Sequence, residues 1–268
     1  MIRVGGVEIK QGHFPDGTLL TKFDPNSDEF DPRGNMLVEW YYENDAELFA
    51  LICVKRHLDR VYSYSDVILY MPYIPHARQD RVKSDEDVFT LKYFCEVINS
   101  LGFKIVHVRD AHSNVSLALL NNVEPMDVSR HINQAIYLCK DTDNFALYFP
   151  DEGAMKRYSD GCGLPYTFGI KKRNWEDGKI LGIQIADPEM VSGKDVLIID
   201  DICSRGGTFY HSAKALKEAG AKDIYLYITH CENTILEGDI FTSGLIKQVY
   251  TTDSLVHCDE LAKKIIYV

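Results

Sequence analysis

No apolar run in the sequence reaches the ~18 residues that a membrane-crossing helix needs. The N-terminal Met1-Ile2-Arg3-Val4-Gly5-Gly6 also lacks the long apolar stretch of a secretory signal. Positive charge is scarce: 29 Lys and Arg stand against 40 Asp and Glu, a net charge of −11. A surplus of that sign repels nucleic-acid backbones and anionic lipid surfaces, so neither nucleic acid nor membrane is expected as a partner. Anionic small substrates stay open where a local basic cluster or a metal ion offsets the field. The cysteines (Cys53, Cys95, Cys139, Cys162, Cys203, Cys231, Cys258) include no C-x-x-C pair. Scattered and odd in number, they read as buried small hydrophobes in a reducing cytoplasm, which excludes a disulfide framework and a zinc site. Low-complexity tracts are absent as well.

What is present suits a globular protein. The 268 residues are 46 % hydrophobic, enough for one large domain or two ordinary ones. Short apolar runs alternate with amphipathic stretches. Val67 to Met71 predicts a strand, and Val88, Leu91, Phe94, Ile98 and Leu101 predict a helix from about Asp85 to Leu101, with Ser84 as N-cap and Gly102 at its end. Ile105 to Val108 is the next expected strand. The rhythm repeats in Val196 to Ile199, a helix from Thr208 to Ala219 closed by Gly220, and Ile224 to Ile228. Such alternation predicts parallel sheets covered on both faces, with ligands at the strand C-terminal ends. Two such units predict two α/β domains, 1–126 and 127–268, with a helix holding Ile132, Ala135, Ile136 and Cys139 opening the second. The acidic Phe23 to Gly34 and the charged Lys171 to Lys179 are expected as surface loops.

The strongest chemical signal is Val196-Leu197-Ile198-Ile199-Asp200-Asp201-Ile202-Cys203-Ser204-Arg205-Gly206-Gly207-Thr208. An apolar strand delivers two carboxylates at its end, and a glycine-containing turn then opens a helix. The backbone amides of that turn, with the Ser204 and Thr208 hydroxyls, suit a phosphate. Asp200 and Asp201 suit the vicinal hydroxyls of a ribose, directly or through Mg²⁺. Consecutive acids ending a buried strand are costly without a ligand.

This stretch resembles the phosphoribosyl-pyrophosphate (PRPP) motif of the type I phosphoribosyltransferase fold, and Pro72-Tyr73-Ile74-Pro75-His76-Ala77-Arg78-Gln79-Asp80-Arg81 resembles the P-Y-x-x-x-A-R-Q-D-[RK] segment of the PRPP synthetases, the ribose-phosphate diphosphokinases. Alone, Arg-Gln-Asp-Arg is an ordinary solvated turn; directly after a strand, in order with the other matches, it is not. The resemblance implies ATP binding by Arg78, which can grip a triphosphate in bidentate fashion, with Gln79 and Asp80 bonding the nucleotide or orienting the arginine. Asp110-Ala111-His112 resembles the family's D-x-H, implying Mg²⁺ and ATP contacts. Pro150-Asp151-Glu152-Gly153-Ala154-Met155-Lys156-Arg157 resembles the P-D-x-G-[GA]-x-K-R loop, implying Asp151 on the ribose or metal and Lys156 and Arg157 on the acceptor side. Lys171-Lys172-Arg173 matches the K-x-R of a flexible catalytic loop, implying that Lys171 and Arg173 neutralise transition-state charge together with Arg78 and His112. His13-Phe14-Pro15-Asp16-Gly17-Thr18 resembles the adenine site, with Phe14 stacking and Asp16 accepting.

The resemblance runs from about Phe14 to Thr251-Thr252-Asp253. It implies two tandem phosphoribosyltransferase-like domains, the first on the ATP side and the second on the ribose-phosphate side. It also implies a homo-oligomer, dimer or hexamer, and transfer of the β,γ-pyrophosphoryl group of Mg·ATP to a ribose 5-phosphate moiety. Metal ligands would come from Asp110, His112 and Asp151, and ribose-phosphate contacts from Asp151, Asp200, Asp201, Ser204, Arg205, Gly206, Gly207 and Thr208. Departures are specific. Ser204-Arg205 replaces the usual Asp-Thr, Thr18 replaces a Glu of the adenine motif, and both ends are trimmed relative to the family. Those features are similar to shortened, phage-encoded members that use ADP-ribose in NAD rebuilding, for which the compartment would be the host cytoplasm. Two other classes stay open. A PRPP-consuming phosphoribosyltransferase leaves Arg78-Gln79-Asp80, Asp110-x-His112 and Lys171-x-Arg173 without purpose, and a non-catalytic regulatory relative would have lost one of those sets.

Overall fold

A computed structural model describes residues 1–27, 30–31, 34–140, 144–160, 162–173 and 180–268. The chain divides into two compact units, Met1–Asp127 with Ser254–Val256, and Val128–Asp253 with His257–Val268. Among the described residues no helix is long and apolar enough to cross a membrane.

The first unit contains β1 (Ile2–Val4), β2 (Val7–Glu8), β3 (Lys10–His13), β4 (Leu19–Lys22), β5 (Met36–Trp40), α1 (Ala46–Val61), β6 (Val67–Tyr70), α2 (Thr90–Ser100), β7 (Val106–Arg109), α3 (Asn114–Leu119) and β8 (Val123–Met126). Its six-stranded sheet has the order β2-β1-β5-β6-β7-β8. Strands β5 to β8 run parallel, and β1 and β2 add antiparallel strands on the β5 edge. Strands β3 and β4 form a separate two-stranded hairpin. The core joins Met36, Val38 and Trp40 of β5, Leu51 and Leu58 of α1, and Leu91, Phe94 and Ile98 of α2.

Trp40 carries a polar handle into this core, and Glu47 of α1 answers it. The Glu47 carboxylate is buried and accepts from Trp40 Nε1 at 3.0 Å and from the Glu43 amide at 2.9 Å, with the Met1 ammonium as a third donor. Three donors satisfy a charge that would otherwise be costly to bury.

The second unit contains α4 (Ser129–Cys139), β9 (Phe145–Phe149), α5 (Glu152–Tyr158), β10 (Tyr166–Arg173), β11 (Ile180–Ile185), β12 (Asp195–Cys203), α6 (Gly207–Glu218), β13 (Ile224–Cys231), β14 (Gln248–Thr251), α7 (Asp259–Ala262) and β15 (Ile265–Tyr267). Its sheet has the order β11-β10-β9-β12-β13-β14-β15, parallel throughout except for β11. Both faces are covered. Val196 and Ile198 of β12 pack with Phe209 and Leu216 of α6, while Leu197 and Ile199 pack with Ile132 and Ala135 of α4. A strand with apolar neighbours on both sides has no polar alternation, hence the continuous apolar run.

Four expectations need correction. The helix α2 begins at Thr90 and not near Asp85, with Phe89 rather than Ser84 as its N-cap. Asp87 accepts the Lys83 and Ser84 amides at 2.8 and 2.9 Å and so closes a turn instead, leaving Val88 exposed. Residues Lys171–Arg173 are strand, not loop, paired to β11 with a register shift after Lys172; 174–179 lie outside the described residues. The Phe23 to Gly34 stretch is not all surface, because Phe30 is buried edge-on against Phe23 and Tyr62. Cys53 and Cys258 are exposed, whereas Cys95, Cys139, Cys203 and Cys231 are buried.

Glu47→Ala should cost about 3 kcal/mol in urea unfolding, because buried donors lose a charged acceptor. Glu47→Gln, which retains an acceptor for the indole, should cost less. Equal losses in the two variants would count against the Trp40–Glu47 bond as the main contribution.

Candidate functional site

In the second unit the chemistry gathers at the C-terminal ends of neighbouring parallel strands. Strand β12 pairs with β9 on one side and β13 on the other. Asp151 follows β9, and Asp200 and Asp201 end the long apolar run of β12. Asp151 is the N-cap of α5 and accepts the Ala154 amide at 3.1 Å. Asp201 is buried, with Oδ1 accepting the Ile202 amide at 2.7 Å and Oδ2 accepting Arg157 Nη1 at 3.0 Å. Asp200 Oδ1 accepts the Asp201 amide at 3.0 Å. The expected acceptor-side Arg157 is thus joined to the expected ribose-binding Asp201, and its guanidinium lies over the Tyr158 ring. Lys156 instead pairs with Glu152 one helical turn away, at 2.7 Å.

The turn after β12 leads straight into α6. Gly206 is its N-cap and has a left-handed φ of 76°, and a Cβ there would lie 2.4 Å from Ile240 Cγ1. Both facts require glycine. The first intrahelical bond runs from the Tyr210 amide to the Gly206 carbonyl at 2.9 Å. The amides of Gly207, Thr208 and Phe209 therefore precede the ladder at the positive end of a 12-residue helix, a setting that favours an anion.

A brace that the sequence reading did not identify holds this turn. Ser204 Oγ lies 3.0 Å from Thr234 Oγ1, and Arg205 pairs with Glu237 Oε2 through Nε at 2.9 Å and Nη2 at 2.8 Å. The Arg205 carbonyl packs so closely on Gly238 that a Cβ there would lie 1.8 Å from its oxygen. These partners belong to the one-turn 3₁₀ helix Asn233–Glu237 after β13. The only sequence signal was the replacement of the usual Asp-Thr by Ser204-Arg205, which demands new partners.

Lys171 and Arg173 stand on β10. That strand pairs with β9 over Tyr166–Phe168 and with β11 over Gly169–Arg173. They therefore ride on a hairpin arm continuous with the sheet.

In the first unit the loop after β6 meets the loop after β7. The Gln79 amide donates to the His76 carbonyl at 2.9 Å, closing a turn that presents exposed Arg78. Gln79 accepts from the Thr90 hydroxyl at the start of α2. Asp80 is buried and takes Arg81 in bidentate fashion, at 2.7 and 3.0 Å. Those bonds hold its carboxyl below the usual carboxylate range, with smaller contributions from Ser113 and His112 of the β7 loop. Asp110 is buried in a left-handed conformation, φ 43°, which a non-glycine residue adopts at a cost. Phe14 and Asp16 lie at the turn of the β3–β4 hairpin, a different sheet from the one that carries Arg78 and His112. Phe14 is half exposed, and Asp16 Oδ1 already accepts from Thr18 Oγ at 2.7 Å and the Thr18 amide at 3.0 Å, which lowers its pKa.

Among the described residues no group of three His, Cys, Asp or Glu side chains forms a ready-made metal cage. Asp151 and Asp200 at adjacent strand ends, and Asp110 with His112, fit the partial coordination that Mg²⁺ completes with phosphate oxygens and water.

The phosphoribosyl transferase domain model matches residues 153–238, which include Asp200 to Thr208. The ribose-phosphate pyrophosphokinase of Thermococcus kodakarensis is 30 % identical over 258 residues, covering 91 % of this chain and 81 % of that one. That of Thermoplasma acidophilum is 28 % identical over 271 residues, covering 95 % and 90 %. The crystal structure of phosphoribosylpyrophosphate synthetase from Mycobacterium smegmatis superposes with a TM-score of 0.77 at 19 % identity, covering 97 % of this chain and 85 % of that one, and so shares its fold. With the tandem α/β units and the ordered motifs, the chain is a member of the ribose-phosphate pyrophosphokinase family.

Proposed function

We propose that this chain transfers the β,γ-pyrophosphoryl group of ATP to the anomeric hydroxyl of a ribose 5-phosphate moiety. The hydroxyl oxygen attacks the β-phosphorus, the bond from that phosphorus to the α,β-bridging oxygen breaks, AMP leaves with those electrons, and the hydroxyl proton passes to solvent. The observation that carries this reading is the first unit's cluster: the exposed Arg78 on a closed turn, beside Asp80 and the Asp110–His112 loop. A simple phosphoribosyltransferase has no use for a second phosphate-gripping centre. In this reading the first unit is the ATP side and the second the ribose-phosphate side. Arg78 grips the triphosphate, and Phe14 and Asp16 receive adenine, with Asp16 released from Thr18 on binding. Asp200 and Asp201 take the ribose hydroxyls, and Ser204, Gly206, Gly207 and Thr208 cradle the 5-phosphate. Lys171 and Arg173 neutralise charge as the transferred group moves. Mg²⁺, for which Asp110 and His112 in the first unit and Asp151 in the second would be ligands, would supply polarisation of the phosphoryl oxygens and charge neutralisation. The protein would act as a homo-oligomer.

For the acceptor we favour ADP-ribose. Its diphosphate is longer than a terminal monophosphate, and Arg205 can reach the second phosphate through the guanidinium edge that faces away from Glu237. Ribose 5-phosphate is the competing acceptor, and the Arg205–Glu237 ion pair favours it, because a guanidinium already compensated is a weaker phosphate ligand.

Three outcomes are expected. Mass spectrometry of products should show AMP and a 1-pyrophosphate only when Mg²⁺ is supplied; full turnover in excess EDTA would overturn the mechanism. Lys171→Ala and Arg173→Ala should each lower kcat by ~10²-fold, roughly 3 kcal/mol of transition-state stabilisation, with ATP affinity nearly unchanged. Arg205→Ala should lower kcat/KM for ADP-ribose by ~1–3 kcal/mol more than for ribose 5-phosphate. A wild-type preference for ribose 5-phosphate would leave the diphosphokinase reading standing and remove ADP-ribose.

A further inference from the structure

The turn that presents Arg78 begins at His76, and His76 is held in an unusual way. Its φ is 62°, left-handed for a residue with a branched ring on its Cβ. Its Nε2 lies 3.1 Å from Asp45 Oδ1, and its ring lies 5.5 Å from that of Phe94 on α2. Asp45 is the N-cap residue of α1, yet its side chain makes no cap hydrogen bond. The same Oδ1 instead accepts the Tyr42 hydroxyl at 2.9 Å. Its backbone is already helical, and Asn44 Oδ1 takes the Ala46 amide at 3.1 Å, so the Asp45 carboxylate serves His76 and Tyr42 instead.

We propose that Asp45 and His76 form a latch that positions Arg78 for its anionic ligand. The latch fixes the first residue of the turn, whose carbonyl receives the Gln79 amide, and so fixes where Arg78 points. Strained backbone persists where surrounding contacts over-determine it, and such strain collects at ligand clamps. This inference rests on the reading of Arg78 as the triphosphate ligand, and His76 is a positioning residue that touches no substrate.

His76→Gly separates latch from fold, because glycine accepts the left-handed backbone without strain but has no ring to tie. Asp45→Ala is the second variant and removes no cap bond. The probe is Mg²⁺ with α,β-methylene-ATP, which cannot transfer. Both variants should weaken its Kd by at least ~10-fold while their melting temperatures and their Kd for ribose 5-phosphate stay near wild type. His76→Gln, which can still donate to Asp45, should recover to within ~3-fold of wild type. Unchanged Kd in both variants would overturn the latch. If the wild type itself fails to bind the probe, the triphosphate reading falls and amide exchange decides the latch. Faster exchange at the Gln79 amide in both variants would support it, and unchanged exchange would overturn it.

Discussion

Burial of the second sheet on both faces is the constraint from which the rest of that unit follows. Every residue of β9 and β13 is buried, as are Val196 to Ile199 of β12. A charged side chain within these strands would lose its hydration without a partner. Charged groups therefore gather at strand ends, and the parallel arrangement puts those ends together. Asp151, Asp200 and Asp201 are neighbours for that reason, although α5 and the β10–β11 hairpin separate Asp151 from Asp200 along the chain. Arg157 on α5 then offsets the charge of buried Asp201.

The loops at those ends rely on conformations that most residues avoid. Gly206 turns β12 into α6 with a left-handed φ, and Asp110 and His76 adopt the same region without being glycine. Each is held by neighbours: Ile240 against Gly206, the buried β7 exit around Asp110, and Asp45 with Phe94 around His76. Rigid sheets thus support strained turns, and the strained turns carry the candidate site groups.

Much of this was legible in the sequence, because it depended on local patterns. The apolar runs of β6, β7, β12 and β13 and the helical stripe of α4 read directly, as did the carboxylate pair followed by a glycine turn. What escaped was mostly set by partners more distant in sequence. The start of α2 is the local exception: Asp87, three residues after Ser84, takes its amide and closes a turn where a cap was expected. Phe30 sits in a polar stretch and is buried only because Phe23 and Tyr62 meet it. Lys171 to Arg173 look too charged to pack, yet the backbone pairing of β10 with β11 carries them as strand. The Thr234–Glu237 brace carries no motif, and only folding brings it against the turn after β12.

That brace has a consequence for how the chain can change. Gly238 touches the Arg205 carbonyl, and Ile240 fills the space where a Gly206 side chain would go. Residues 204–206 and 234–240 are therefore two halves of one moulded surface. A turn transplanted from another member of the family would meet a bed shaped for a different backbone. Grafting this loop thus requires both segments to travel together, and the inheritable unit is the pair.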